Sequence, residues 1–427
     1  MKGILKYIFL GILFFAPFTN IRLVGLKFSE IMALLLIIFI GAKHQLNISL
    51  SRTNEKFVFF FALVIFVSAV LSFFDSINIY VYGVDKGPYY SFEYGWIFRI
   101  VRVFVVLCFA TILYKQLNVN NKIFDSLCNT YILSNVLVDI YGIANFFVTV
   151  GSLTEFGHLR TSLFAVEPSE AGFINCFAII LALRNFGKKM SKSNVIVLGI
   201  LIFGQLVIGS TTSIVSVLLS AALTYIIYNK KVNGLSGKTV IMYLFVVLVS
   251  VALFYWLANY TQILDKIINV HDDLEKSGGS TIERLTTIET CWRIFEERPI
   301  FGVGFGNFGW YLDHYVTSSL LLYVPGGDFQ PNNTYMQILA ELGIVGFLLY
   351  VWFIFQQFKQ LNFLLRVNPR DRKVYLCYAL LIYLMIHGLT LPTMYSFQFW
   401  FVVTVIQFMY LKKKKYESFI DKRICRI

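Results

Sequence analysis

Residues 334–356, TYMQILAELGIVGFLLYVWFIFQ, run for 23 residues with Glu341 as their one charge. As a helix rising 1.5 Å per residue the segment extends about 34 Å, enough to cross a hydrocarbon core of about 30 Å. It is therefore read as a transmembrane helix. Working outward, apolar segments of comparable character recur at about 4–19, 24–42, 57–75, 97–114, 127–150 and 171–186, then at about 194–209, 212–228, 239–258, 374–390 and 395–411.

The composition agrees with these spans. Hydrophobic residues make up 57% of the 427 and charged residues only 14%, against about 25% charged in a soluble domain. The expected fold is an all-α polytopic membrane protein of about twelve transmembrane helices. An even number of crossings leaves both tails on one side. Lys188, Lys189 and Lys192, then Lys230 and Lys231, then Arg366, Arg370, Arg372 and Lys373, and finally Lys412 to Lys415 fall in alternate connections and the tail. By the positive-inside rule that side is cytoplasmic. The net charge of +13 thus orients the chain, and no nucleic-acid partner is implied. Residues 4–19 resemble a signal peptide in length, but no small-residue cleavage pattern follows and further spans do, so they are taken as the first helix. The six cysteines have no CxxC spacing, and neither a disulfide framework nor a metal site is indicated.

This topology divides the chain into helices 1–9 with short loops (1–258), a large outer loop between helices 9 and 10 (259–333), helices 10–12 (334–411) and a basic tail (412–427). Outer segments at about 76–96 and 151–170 are long enough to hold structure. The large loop far exceeds an ordinary connection and is where function is expected. It holds Lys266, Lys276, Arg284, Arg293 and Arg298 against ten Asp and Glu residues, so its arginines need a reason. Ser280-Thr281-Ile282-Glu283 has capping-box form, and Ile282, Leu285, Ile288, Trp292 and Phe295 follow at helical spacing before Pro299. The pattern predicts an amphipathic helix with Arg284 at the edge of the apolar face, turned to protein or lipid, and Arg293 turned to water.

After that helix comes Arg298-Pro299-Ile300-Phe301-Gly302-Val303-Gly304-Phe305-Gly306-Asn307-Phe308, and later Asn332-Asn333-Thr334-Tyr335 opens the span that continues through Glu341, Gly343 and Gly346. An arginine in a helix, then P-I-F-G-V-G-x-G-x-F, then N-x-Y-x-x-x-L-x-E-x-G-I-x-G entering a helix, resembles the O-antigen ligase and O-antigen polymerase (Wzy) superfamily. The stretch from Arg160 through Glu167-Pro168 to Ala171 is similar to an earlier outer-loop pattern of that family. Two departures stand out. Ligases usually place His immediately before the Asn that opens the late span, where this chain has Asn332. They also tend to carry Arg in the short outer turn filled here by Ser210-Thr211-Thr212. Both favour polymerase over ligase.

The resemblance implies a metal-independent, cofactor-free membrane glycosyltransferase of a bacterial inner membrane. It would transfer a glycan from undecaprenyl pyrophosphate to a sugar acceptor at the periplasmic face, lengthening an O-antigen or capsule repeat-unit polymer. Implied partners are the undecaprenyl-pyrophosphate-linked oligosaccharide, membrane lipids, a chain-length regulator and a flippase. A departing pyrophosphate needs cations more than a strong general acid, and arginine binds phosphate oxygens through two parallel hydrogen bonds. Arg160 and Arg284 are the candidates for that clamp, or else contact lipid headgroups, as Arg99 and Arg102 would. Glu167, Glu170, His314 and Glu341 are candidate bases or acceptors for the attacking hydroxyl. Glu167 serves equally as the acidic residue at the start of a helix near Ser169. Glu341 is costly in lipid and is expected to face a cavity. Arg298, Asn332, Asn333 and Tyr335 complete the candidate substrate-binding set. Gly302, Gly304 and Gly306 read as tight turning rather than a nucleotide loop. Asp139 and His387 are the notable ionisable groups inside spans, where a hydrogen bond between helices accounts for each. A lipid-linked-oligosaccharide flippase is the competing class, since twelve spans suit a transporter, but no internal repeat supports it.

Overall fold

The computed structural model describes residues 92–150, 163–184, 191–232, 280–311 and 331–424 almost throughout, with parts of 7–34 and 56–70. The described chain is helical apart from an antiparallel pair of two-residue strands, β1 (Arg22–Leu23) and β2 (Leu26–Lys27), with Arg22 opposite Lys27. The second span, expected from residue 24, is therefore entered later. Pairing the strands satisfies backbone groups before the chain becomes helical at Ser29. The span expected at 239–258 lies outside the described residues.

The helices are α1 (Lys56–Ser68), α2 (Phe92–Val119), α3 (Ile123–Val150), α4 (Pro168–Leu183), α5 (Lys192–Ile208), α6 (Thr211–Val232), α7 (Ser280–Glu297), α8 (Thr334–Val367), α9 (Arg372–His387) and α10 (Phe397–Ile424). Among the described residues four of them contain stretches long and apolar enough to cross a bilayer: Ile100–Val119, Ile123–Val148, Thr211–Val232 and Thr334–Val367. Side chains explain several ends. Ser191 accepts from the Asn194 amide to start α5, Gly209 in the left-handed region ends it, and Asp371 accepts from the Lys373 amide to start α9. The last helix does not stop where the basic tail was expected to begin. It continues through Lys412 to Lys415, residues with good helix propensity.

Helix α9 is central, packing on α6, α4, α8 and α10, while α5 packs on α3 and α4 and α10 packs on α2. On α6 the buried serines Ser213, Ser216 and Ser220 recur at helical spacing, and such small residues let two helices approach closely without a hydrophobic driving force. The Tyr383 hydroxyl of α9 donates to the Phe173 carbonyl of α4 at 2.8 Å. On α8, Ile344, Leu348, Val351 and Phe355 form an exposed apolar stripe at helical spacing, the face expected to meet lipid.

Helix α8 is broken. Gly343 has φ 65° and ψ −166°, a conformation essentially limited to glycine. The groups freed by the break are taken up by the glycine-rich motif. Val303 and Gly304 donate their amides to the Ala340 and Glu341 carbonyls, and the Ile344 and Val345 amides donate to the Pro299 and Ile300 carbonyls, at 2.8–3.3 Å. Ser68 of α1 shares its hydroxyl proton between the Phe301 and Glu341 carbonyls at 2.9 and 3.0 Å. A Cβ on Gly343 would press into the Ile300 carbonyl, and one on Gly302, also at positive φ, into Ala340. Gly343→Ala is therefore expected to destabilise by at least about 1–3 kcal/mol from backbone strain alone. The check is the melting temperature of detergent-solubilised protein, with Gly199→Ala in α5, where an added Cβ meets nothing within 4 Å, as the mild comparison.

Candidate functional site at the docked end of the bundle

The glycine-rich motif holds α7 against α8, so one end of the bundle carries α7, the start of α8, the end of α9 and the turn between α5 and α6. Among the described residues, Lys192, Lys230, Lys231, Arg366, Arg370, Arg372, Lys373 and Lys412 to Lys415 lie towards the other end. A cavity of about 580 Å³ there, lined by Phe124, Asp371, Lys373, Phe408 and Lys412 among others, is remote from α7 and the start of α8.

Helix α7 spans the residues that its capping box and Pro299 predicted, but it docks by a different face. Thr286, Thr287, Thr290, Cys291 and Ile294 are buried, Ile288 and Phe295 are half-buried, and Trp292 is exposed. Threonine and cysteine are small enough for close approach to α8, whereas the ring of Trp292 suits the headgroup layer. Arg284 shares the docked stripe with Thr287, Cys291 and Ile294 at i, i+3, i+7 and i+10. It is half-buried and faces protein, as expected, and its charge bears on His387 at the end of α9. Arg293 points away and pairs with Glu289 at 2.6 Å. Arg298 leaves the helix with its guanidinium 5.6 Å from the Tyr311 ring centroid.

The residues opening α8 are committed to structure. Asn333 caps the helix by accepting from the Tyr335 and Met336 amides, and its Nδ2 donates to the Leu389 carbonyl at 3.1 Å. Thr334 donates to the Leu391 carbonyl, and the Tyr335 hydroxyl donates to the Met385 carbonyl at 2.7 Å. Asn332, just before them, is half-buried. Glu341 is fully buried, accepts from Gln337 at 3.4 Å and lies close enough to influence Cys291, where α7 and the glycine-rich motif cover this part of α8. Glu167 occupies the N-cap position of α4 without a side-chain cap bond. Its carboxylate instead accepts from the Ser169 hydroxyl at 3.0 Å, in an exposed position. Arg102 is held by Glu30 at 3.4 Å rather than reaching for headgroups. Arg160 and His314 lie outside the described residues.

The sequence pattern did not single out a constellation centred on His387. Thr390 donates to the His387 carbonyl at 3.1 Å, so its oxygen is left to accept from Nδ1–H at 3.3 Å. With the ring proton on Nδ1, Nε2 accepts from the Ser213 hydroxyl at 2.9 Å. Ser213 in turn lies 2.9 Å from Ser210. The signal was present in the Ser210, Ser213, Ser216, Ser220 spacing, which puts hydroxyls on one face of α6. Asp139, noted with His387 in the sequence, is buried against the backbone at Gly204 of α5.

A helical membrane protein with an arginine brought to the docked end of its bundle is the class these observations define. Residues 196–351 match the sequence model of the O-antigen ligase family, which supports the superfamily resemblance drawn from the motifs. The match takes in most of α5, α6, α7 and α8 through its break, and so includes Ser213, Arg284, Asn333 and Glu341. No curated protein matches the chain by sequence.

Two expectations test this geometry. Burial, reinforced by the Glu341 charge, pushes the Cys291 thiol well above the usual range, so it should resist a membrane-impermeant maleimide in native membranes, whereas a cysteine at Trp292 should react. Equal labelling of both would show that α7 is not docked as described. Asn333→Ala should cost about 0.5–2 kcal/mol through loss of the cap, and Asn333→Ser, which keeps an oxygen to accept from the first-turn amides, should restore part of it. Thermal melts of the two variants separate this capping role from a purely substrate-binding one, which would leave the melting temperature unchanged.

Proposed function

We propose that this chain is a polysaccharide polymerase of a bacterial inner membrane. It transfers a growing O-antigen or capsule glycan from undecaprenyl pyrophosphate to a lipid-linked repeat unit. In this reading the chain crosses the bilayer twelve times with both tails cytoplasmic, the α7 end faces the periplasm, and a flippase and a chain-length regulator act alongside it. The observation that carries the proposal is Arg284, on a helix docked against α8 and near enough to the end of α9 for its charge to bear on His387, within the O-antigen ligase family match. A planar, permanently charged fork suits the oxygens of a departing pyrophosphate, and a partly dry setting strengthens that stabilisation without requiring a metal. Arg160, from the preceding loop, is the proposed second arm of the clamp.

Ligase is the second reading, favoured by the description of the matching family. Against it stand Asn332 in place of His and Ser210-Thr211-Thr212 in place of the family's arginine. A transporter reading could draw on the broken helix α8, since transporters place substrates at such breaks. In this chain the amides of Val303, Gly304, Ile344 and Val345 and their carbonyl partners close the break, leaving no exposed backbone to bind a substrate.

The test is a gel of surface polysaccharide from cells lacking the protein, complemented with wild type, Arg284→Ala, Arg284→Lys or Arg160→Ala at equal membrane level. The expected result is loss of the long-chain ladder in both alanine variants with a single repeat still attached to its acceptor, and partial recovery with lysine. Loss of all attached sugar with accumulation of lipid-linked polymer would establish a ligase instead. Repeats trapped on the cytoplasmic leaflet would establish a flippase.

A further inference from the structure

The hydroxyl groups of the α5–α6 turn form a directed chain that the arginine clamp does not use. Thr212, half-buried at the turn, lies 3.5 Å from the Ser210 hydroxyl; Ser210 lies 2.9 Å from Ser213, and Ser213 lies 2.9 Å from His387 Nε2. In the Nδ1–H tautomer Ser213 donates to the ring, Ser210 to Ser213 and Thr212 to Ser210. Every hydroxyl then points its proton towards one buried base.

Helix packing alone does not require this arrangement. Ser216 and Ser220, on the same buried face, satisfy their hydroxyls on their own helix, donating to the Thr212 and Val217 carbonyls, the usual recourse of serine in a helix. Ser213 forgoes that bond for the imidazole. An imidazole fully enclosed at the end of a membrane helix is costly to keep without a function.

We propose that Thr212, Ser210, Ser213 and His387 form a proton relay that accepts the proton of the attacking sugar hydroxyl. The proposal rests on the glycosyl-transfer reading above and supplies the base that reading lacked. In the step, the acceptor's hydroxyl oxygen bonds to the anomeric carbon of the donor. The bond from that carbon to the phosphate oxygen breaks, and its electron pair leaves with the pyrophosphate near Arg284. The hydroxyl proton passes to Thr212, each hydroxyl hands its own proton inward, and the last one settles on Nε2. Return of the relay to its starting state delivers that proton to water or to the departed pyrophosphate. His387 acts through the serines and does not touch substrate, so it is a positioning residue for the proton.

The experiment uses membranes from cells that lack the protein and so accumulate lipid-linked repeat units, reconstituted with purified full-length protein. Release of polyprenyl pyrophosphate is followed in H2O and D2O. His387→Gln keeps hydrogen bonding but cannot take up a proton, and Ser213→Ala cuts the chain. Each is expected to lower kcat about 100-fold or more, the scale of general acid–base catalysis, with KM within threefold of wild type and the solvent isotope effect changed. Thr212→Val should lose about tenfold, and Thr212→Ser should restore it. Tyr383→Phe removes a buried hydrogen bond from the packing beside His387 and should leave kcat within threefold.

The relay is overturned if His387→Gln turns over at the wild-type rate, if the losses fall on KM alone, or if Tyr383→Phe loses as much as His387→Gln. Should the wild type move finished chains to another acceptor, the polymerase reading fails, and the same variants decide the relay on that transfer. Absence of any pyrophosphate release by the wild type would remove glycosyl transfer and the relay together.

Discussion

A helix broken inside a bilayer frees amides and carbonyls where no water can satisfy them, and each left unpaired would cost several kcal/mol. Gly343 creates that situation in α8, and residues 299–304 resolve it by pairing backbone to backbone across the break. The arrangement is reciprocal, because the motif's own polar groups are buried by the same contact. Once the pairing is made, the preceding helix has little freedom, since α7 ends at Glu297 and the pairing begins at Pro299. The position of Arg284 is thus set by a hydrogen-bond requirement about 60 residues further along the chain.

That constraint explains why the docked face of α7 is built of threonine, cysteine and isoleucine while its larger rings turn outward. The break brings the loop and α7 close to α8, and there is no depth for a tryptophan between them. Arg284, on that face, is half-buried and its charge bears on the His387 imidazole, a partly dry setting in which one guanidinium stabilises a phosphate group more than it would in water.

Much of the helical framework was legible in the sequence because the membrane imposes a length on each apolar run. The turn between α5 and α6 was placed at Ser210-Thr211-Thr212 by the apolar runs on either side, and the limits of α7 follow from Ser280 and Pro299. The face by which α7 docks was not legible, because periodicity ranks side chains by hydrophobicity whereas the contact selects them by size. The unbroken run of α10 into its lysines was not legible either, because charge marks the membrane boundary and does not interrupt a helix. For the candidate site, Arg284 was identified through its place before the glycine-rich motif. Asn333 and Tyr335 were singled out as binding residues; Asn333 Oδ1 caps α8, while its Nδ2 and the Tyr335 hydroxyl bond to the end of α9. His387 was assigned a hydrogen bond between helices, which it makes. Only the spatial order of Thr212, Ser210 and Ser213 shows where that bond leads.

The two departures from the ligase pattern belong to one structural exchange. The Thr334 amide donates to the Gly388 carbonyl at 2.7 Å and Asn333 holds the Leu389 carbonyl, so the start of α8 and the end of α9 are a single unit. An imidazole lost at Asn332 can therefore be supplied from His387 without leaving that unit. The turn that in ligases tends to hold an arginine carries Ser210 and Thr212 instead, the residues that connect His387 to the surface of the turn. A cation in that turn would add to the charge that Arg284 already brings to bear on the ring, whereas hydroxyls can pass a proton towards it. In the proposed reading the positive charge comes from Arg284 on α7 alone, and the proton acceptor from the end of α9.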